Sequence, residues 1–192
     1  MNKELKKIIS STKDELLKRL EVMALVTEKL KELNVIPIIV GGQAVEFYTA
    51  GGYSTMDIDV ICPASIAEID EILEEIGFTR DGKYWILEKT DIAIEVPSGP
   101  LAGSRDKLTE VEVPGGRRVY FIGIEDIIID RLNRFKHWQV TTDREWILGM
   151  MVFNYNEIDW DYLLEKAAQE KVLSEAKELK IIAQKKKIKN NL

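Results

Sequence analysis

Cysteine and histidine are almost missing from this chain: Cys62 and His137 are the sole representatives in 192 residues. A single cysteine forbids an intrachain disulfide and fits a reducing compartment, so a cytoplasmic protein is expected. One cysteine and one histidine also cannot supply the usual ligand set of a zinc site. No uncharged apolar run is long enough to span a bilayer. The opening Met1-Asn2-Lys3-Glu4-Leu5-Lys6 lacks the apolar stretch of a secretory leader. No membrane association is therefore expected. No lysine follows the glycines in Gly-x-x-x-x-Gly-Lys spacing, and no Gly-x-Gly-x-x-Gly follows an apolar strand, which sets aside two common nucleotide-binding patterns. Positive charge is also in deficit, with 27 Lys and Arg against 33 Asp and Glu, a net charge of −6. That removes any global attraction to nucleic acid or an anionic membrane, while leaving room for a local basic groove.

What is present is enough apolar material, 45% of residues, for a sizeable core, and 31% charged residues to solvate its surface. The length fits a single domain spanning 1–192. Within it, 1–34 read as N-terminal helices, 35–123 as an α/β core and 124–192 as a C-terminal helical region. Leu16, Leu17, Leu20, Met23, Val26, Leu30 and Leu33 recur at helical spacing, and Thr12 with Glu15 has the form of a capping box. Ile36 to Val40 is apolar on both faces, as in a strand covered on both sides. A short helix over 42–50 closes at Gly51-Gly52, and a second strand runs from Asp57 to Cys62. Ser65 with Glu68 is another capping box, and its helix ends at Gly77. Hairpins are expected around Asp81-Gly82 and around Pro114-Gly115-Gly116. Between them lie an alternating strand from Asp91 to Val96 and a mobile loop over 97–107. Thr142 and Asp159 are expected to start helices, and the tail from Lys185 to Asn191 is expected to fray.

The chemistry is concentrated in Val40-Gly41-Gly42-Gln43-Ala44 and Thr55-Met56-Asp57-Ile58-Asp59-Val60. Asp57 and Asp59 stand two apart on a strand, so both point to one face, with Cα atoms roughly 6–7 Å apart. Two carboxylates so placed repel unless a cation lies between them. Magnesium prefers carboxylate oxygens together with phosphate oxygens and water. Two such ions can clamp the attacking and leaving oxygens of an in-line displacement. Glu95, on the polar face of an otherwise apolar strand, is the first choice for a third carboxylate, and Asp91 the second. Gly41 and Gly42 let backbone approach a phosphate, and the helix after them offers free N–H groups. Thr55 is placed to orient the acidic loop or to touch a phosphate oxygen.

Other residues have blander readings. Trp85 fits the core better than a base-stacking platform. Arg105 and Lys107 read as loop charges, and Cys62 as a small apolar residue on a buried face. His137 with Trp138 reads as a core or interface pair. Arg131 is a candidate phosphate contact. Its competing role, shared with Arg134, is an ion pair with Asp130 or Asp126.

These motifs resemble the DNA-polymerase-beta-like nucleotidyltransferase superfamily, and most closely its small prokaryotic members related to abortive-infection toxin nucleotidyltransferases. Ile94-Glu95-Val96-Pro97 matches the strand of the third acid, and Glu125 to Leu132, with Trp138 and Asp143, matches the helical segment after the core. The resemblance implies a small mixed sheet flanked by helices. It also implies transfer of a nucleoside monophosphate from an NTP to a hydroxyl, with Mg²⁺ or Mn²⁺ held by Asp57, Asp59 and Glu95. Gly41, Gly42, Gln43, Thr55 and Arg131 would bind the nucleotide. The acceptor, whether protein, RNA or small molecule, and the oligomeric state, a homodimer included, stay open. Many catalytic members carry serine after the glycine where this chain has Gly42-Gln43. The alternative expectation is therefore a non-catalytic NTP-binding module, or a toxin-antitoxin-type interaction module, on the same fold.

Overall fold

The computed structural model describes residues 2–88 and 90–190. Met1 and Asn191, which end two of the segments read above, lie outside the described residues. The chain divides into two compact units, the first made of the described residues of 1–43, 55–101 and 108–121, the second of 44–54, 102–107 and 122–192.

The first unit carries a seven-stranded mixed sheet of order β3-β4-β5-β2-β1-β7-β6. Its strands are β1 (Ile38–Ile39), β2 (Asp57–Ile61), β3 (Thr79–Asp81), β4 (Tyr84–Leu87), β5 (Ile92–Glu95), β6 (Thr109–Glu112) and β7 (Arg118–Phe121). β2 runs parallel to β5 and antiparallel to β1, while β1 runs parallel to β7. Both expected hairpins form, β3 with β4 and β6 with β7. The first turns through Gly82 at φ +60°, a backbone angle that a Cβ disfavours. The helices of this unit are α1 (Lys3–Ser11), α2 (Glu15–Lys31) and α4 (Ile66–Ile76), with the first residues of α3 (Gly41–Tyr48).

Register decides which face of the sheet is core. Ile58 lies beside Ile94, and Ile94 opposite Trp85. All three are buried to 2% exposure or less. The Trp85 Nε1–H donates to Asp70 of α4 at 2.8 Å, which places α4 over this face. Trp85 is thus a core residue, as its blander reading expected. The period-2 alternation then sends Asp57, Asp59 and Glu95 to the face away from α4.

α4 starts and stops as the sequence indicates. Ser65 and Glu68 form a reciprocal capping box, and Gly77 closes the helix. Several expectations change. α2 is capped by Asp14, whose side chain accepts from the Leu17 N–H, and not by Thr12. Asp14 directly precedes the first helical residue, where a carboxylate also meets the positive helix end. Thr12 instead closes α1 and donates its hydroxyl to Glu21. The strand expected over Ile36–Val40 shortens to Ile38–Ile39. Pro37 has no N–H for a ladder, and the chain turns at Gly41 with φ +60°. Leu33, counted in the α2 stripe, is 43% exposed beyond the helix end.

The second unit is built on α5 (Ile124–His137), α6 (Asp143–Phe153), α7 (Trp160–Gln169) and α8 (Leu173–Asn190), with the rest of α3. α6 packs against both α5 and α8. Asp159 caps α7 as expected, accepting from the Tyr162 N–H. Thr142 precedes α6 in a helical conformation, so its hydroxyl makes no cap bond. The segment 102–107, read as part of a mobile loop, is fastened: Ser104 N–H donates to Asp126 at 2.8 Å, and Arg105–Lys107 forms a 3₁₀ turn. The tail read as frayed is helical to Asn190, and Lys187 reaches Asn156. Trp138, expected in a core or interface, is 72% exposed at the end of α5. Among the described residues, no helix is long and apolar enough to cross a membrane.

Candidate active site

β2 and β5 run parallel with Asp57 beside Ala93 and Asp59 beside Glu95. Neighbouring strands lie about 4.8 Å apart, so this register alone puts the Glu95 carboxylate next to that of Asp59. Asp57, one pleat repeat before Asp59, completes the group. The three residues each present a carboxylate oxygen within 4.8 Å of the others, and all three are half-buried. Asp91, the second choice for the third acid, is exposed and precedes β5.

Three neighbours place these acids. Thr55 donates its hydroxyl to Asp57 Oδ1 at 2.8 Å, so it orients the acid as its position suggested. Val40 N–H donates to the Asp59 carbonyl at 2.9 Å, tying β2 to the strand that ends in the glycines. Gly41 supplies space. A Cβ there would lie 2.0 Å from Asp59 Oδ2, and its φ of +60° disfavours any side chain. By its place in the sequence this glycine is expected to let backbone approach a phosphate. The structure adds a second reason for it: Asp59 occupies the volume of the missing side chain.

Lys83 was not singled out from sequence. Its ammonium lies 2.8 Å from Glu95 and 4.8 Å from the centre of the Tyr84 ring. It stands at the β3–β4 turn, and Tyr84 pairs with Glu95 across β4–β5, so the hairpin register delivers it there. Glu95 raises the Lys83 pKa above the ordinary lysine value, chiefly through this hydrogen bond. A lysine beside Asp-Gly is an ordinary turn residue in sequence, and only long-range pairing reveals its partner.

Gly41 and Gly42 are partly exposed at the head of α3, whereas Gln43 is fully buried. Arg131 lies in the second unit, 4% exposed on α5, with Asp130 at 3.7 Å. Arg134 pairs at 2.9 Å with Asp143, and not with Asp126. Lys107 pairs at 2.5 Å with Asp159. Cys62 is half-buried, and that burial pushes its thiol above the ordinary value.

A set of three hard oxygen donors on one face of a sheet, with room left by Gly41, suits a divalent cation such as Mg²⁺ or Mn²⁺. A divalent cation held there would offset part of a phosphate charge brought against it.

Comparison with known proteins bears on the fold and the family. No curated protein matches the chain. An antigenic nucleotidyltransferase-like protein from Paracoccidioides brasiliensis has a similar structure, with a TM-score of 0.55 and 18% identity over 88% of this chain and 94% of that one. ANT(2'')-Ia, solved in complex with adenylyl-2''-tobramycin, gives a TM-score of 0.51 and 18% identity over 78% of this chain and 95% of that one. Both likenesses concern the fold. The family model described as "Nucleotidyltransferase of unknown function (DUF6036)" matches residues 14–191, and the chain belongs to that nucleotidyltransferase family.

Proposed function

We propose that the chain is a metal-dependent nucleotidyltransferase that moves a nucleoside monophosphate from an NTP to a hydroxyl of its acceptor. The observation that carries this reading is the carboxylate trio: Asp57, Asp59 and Glu95 lie within 4.8 Å of one another on one face of the sheet. Like charges this close repel one another unless a cation joins them.

Asp57 and Asp59 hold the cation, Mg²⁺ or Mn²⁺, together with Glu95. When bound, such an ion neutralises the triphosphate and polarises the phosphoryl group under attack. Thr55 holds Asp57 in the orientation this requires. Gly41, Gly42 and the first-turn N–H groups of α3 face the phosphates, where unsatisfied donors and the positive helix end favour an anion. The acceptor hydroxyl attacks the α-phosphorus, its proton passes to a Glu95 carboxylate oxygen, and the bond to the β-phosphate oxygen breaks to release pyrophosphate. Arg131 remains a proposed phosphate contact; it is 4% exposed, with Asp130 at 3.7 Å.

ANT(2'')-Ia is solved with adenylyl-2''-tobramycin, an adenylyl group on an antibiotic hydroxyl. That product class is the model for the transfer proposed here, and small molecules, RNA and protein are the acceptors to be screened. Fold likeness at 18% identity does not choose among them. The test is pyrophosphate release from each NTP with Mg²⁺ across acceptor pools. Wild-type release that disappears in Asp57→Asn, with circular dichroism unchanged, supports the reading. Equal release from both proteins overturns it.

A second reading rests on Gln43. It holds the position where many members of the superfamily carry serine; its side chain is an amide with no hydroxyl for a phosphate, and it is fully buried. A non-catalytic NTP-binding module on the same fold would bind NTP with metal and release no pyrophosphate.

A further inference from the structure

The Lys83–Glu95 pair occupies the trio from one side. Lys83 Nζ is 2.8 Å from both Glu95 oxygens. The two partners are unequal in freedom. The Lys83 side chain is 63% exposed and the Glu95 side chain only 17%. Glu95 is fixed by its strand, and Lys83 sits in a turn at the end of a flexible four-carbon stem. A divalent cation among Asp57, Asp59 and Glu95 would lie within a few ångströms of this ammonium, and like charges at that distance repel. A lysine displaced from Glu95 would be free to meet a different anion, such as a triphosphate brought to the same cation.

We propose that Lys83 is the resident counter-ion of the carboxylate trio, displaced by the divalent cation and recaptured by the triphosphate. This inference rests on the proposed nucleotidyl-transfer site and assigns a positioning residue to it. Lys83 opposes cation binding in the absence of nucleotide and supports triphosphate binding once the cation is in place. The two effects have opposite signs, which a purely structural surface ion pair would not produce.

Binding of Mn²⁺ alone, followed by electron paramagnetic resonance, gives the first arm. Binding of inorganic tripolyphosphate with saturating Mg²⁺ gives the second and needs no knowledge of the preferred base. Lys83→Met should bind Mn²⁺ about threefold more tightly than wild type, the scale of one half-exposed ion pair, and tripolyphosphate about threefold more weakly. Lys83→Arg should stay near wild type in both. Unchanged Mn²⁺ affinity in Lys83→Met, or a change of the same sign in both arms, overturns the inference. Failure of the underlying site reads differently: wild type would then bind Mn²⁺ no better than Asp57→Asn, and both ideas fall together. Mn²⁺ binding that depends on Asp57 and ignores Lys83 removes the lysine alone.

Discussion

Asp57, Asp59 and Glu95 in the first unit face one another across a 4.8 Å cluster. In the second unit, Glu125, Asp126 and Asp143 face donors. Each of these three is 4% exposed. Asp126 accepts from the Ser104 N–H and the Tyr162 hydroxyl, both at 2.8 Å. Glu125 accepts from the Asp159 N–H at 2.7 Å, and Arg134 lies 2.9 Å from Asp143. Both groups satisfy the same rule, that a carboxylate leaving water needs compensation. The buried group is compensated by the chain itself and so stabilises it. In the half-buried group Thr55 holds Asp57 and Lys83 pairs with Glu95, and three carboxylates still converge, an arrangement that suits a cation. Acid count alone would not separate the two; what surrounds each acid does.

Substitutions in the two groups should therefore fail in different ways. Asp57→Asn or Asp59→Asn should lower nucleotidyl transfer by roughly 100-fold or more, the scale of losing one group that stabilises charge in the transition state. The thermal midpoint should hold or rise, because a like charge has been removed. A fall in the midpoint that accounts for the lost activity would erase the contrast. Asp126→Ala should do the reverse. It strands the Ser104 N–H and the Tyr162 hydroxyl, which costs about 3 kcal/mol and lowers the midpoint by roughly 6–12 °C. Mn²⁺ affinity should be unchanged. An Asp126→Ala protein with a native midpoint and no Mn²⁺ binding would show that the second group is not structural.

Gly41→Ala probes the trio from the backbone side. A non-glycine residue at φ +60° costs roughly 1–2 kcal/mol, and the added Cβ must push Asp59 aside. Both the midpoint and Mn²⁺ affinity should fall, in contrast to either aspartate change. Retained Mn²⁺ affinity would mean that Asp59 is free to move without harm to the site. The smallest effect concerns pH. The hydrogen bond from Lys107, with those from the α7 backbone, holds the Asp159 carboxyl below its ordinary value. A lowered carboxyl contributes stability above its unfolded value near 3.8 and loses it as pH falls through the folded value. Thermal midpoints of wild type and Asp159→Asn should therefore differ at pH 6 and converge only once pH has fallen through the folded value, below 3.8. A difference that persists in acid would place the role of Asp159 in capping geometry and not in charge.

The sequence carried the local signals well. Asp57 and Asp59 were legible because a two-residue spacing on a strand has only one consequence for side-chain direction. Glu95 was legible from the alternation of β5. The Ser65–Glu68 box and Gly77 located α4 because capping is decided by a few adjacent residues. What was illegible came from pairing over distance. No local pattern states that Asp59 sits beside Glu95, that Lys83 reaches Glu95 through the β4–β5 register, or that Gly41 makes room for Asp59. The burial of Arg131 was also hidden, since an arginine beside an aspartate on a helix reads equally well as solvated. Thr12 and Asp14 show the limit of even local reasoning, because two residues competed for one cap and the nearer took it.

Calorimetric titration decides whether Asp57 and Asp59 build a cation-dependent nucleotide site. ATP, GTP, CTP and UTP, each with Mg²⁺, are titrated into wild type and into the Asp57→Asn/Asp59→Asn double variant. At least one NTP should bind wild type only when Mg²⁺ is present, and that binding should vanish in the folded double variant. Equal binding to both proteins, or binding to wild type indifferent to Mg²⁺, would contradict the claim.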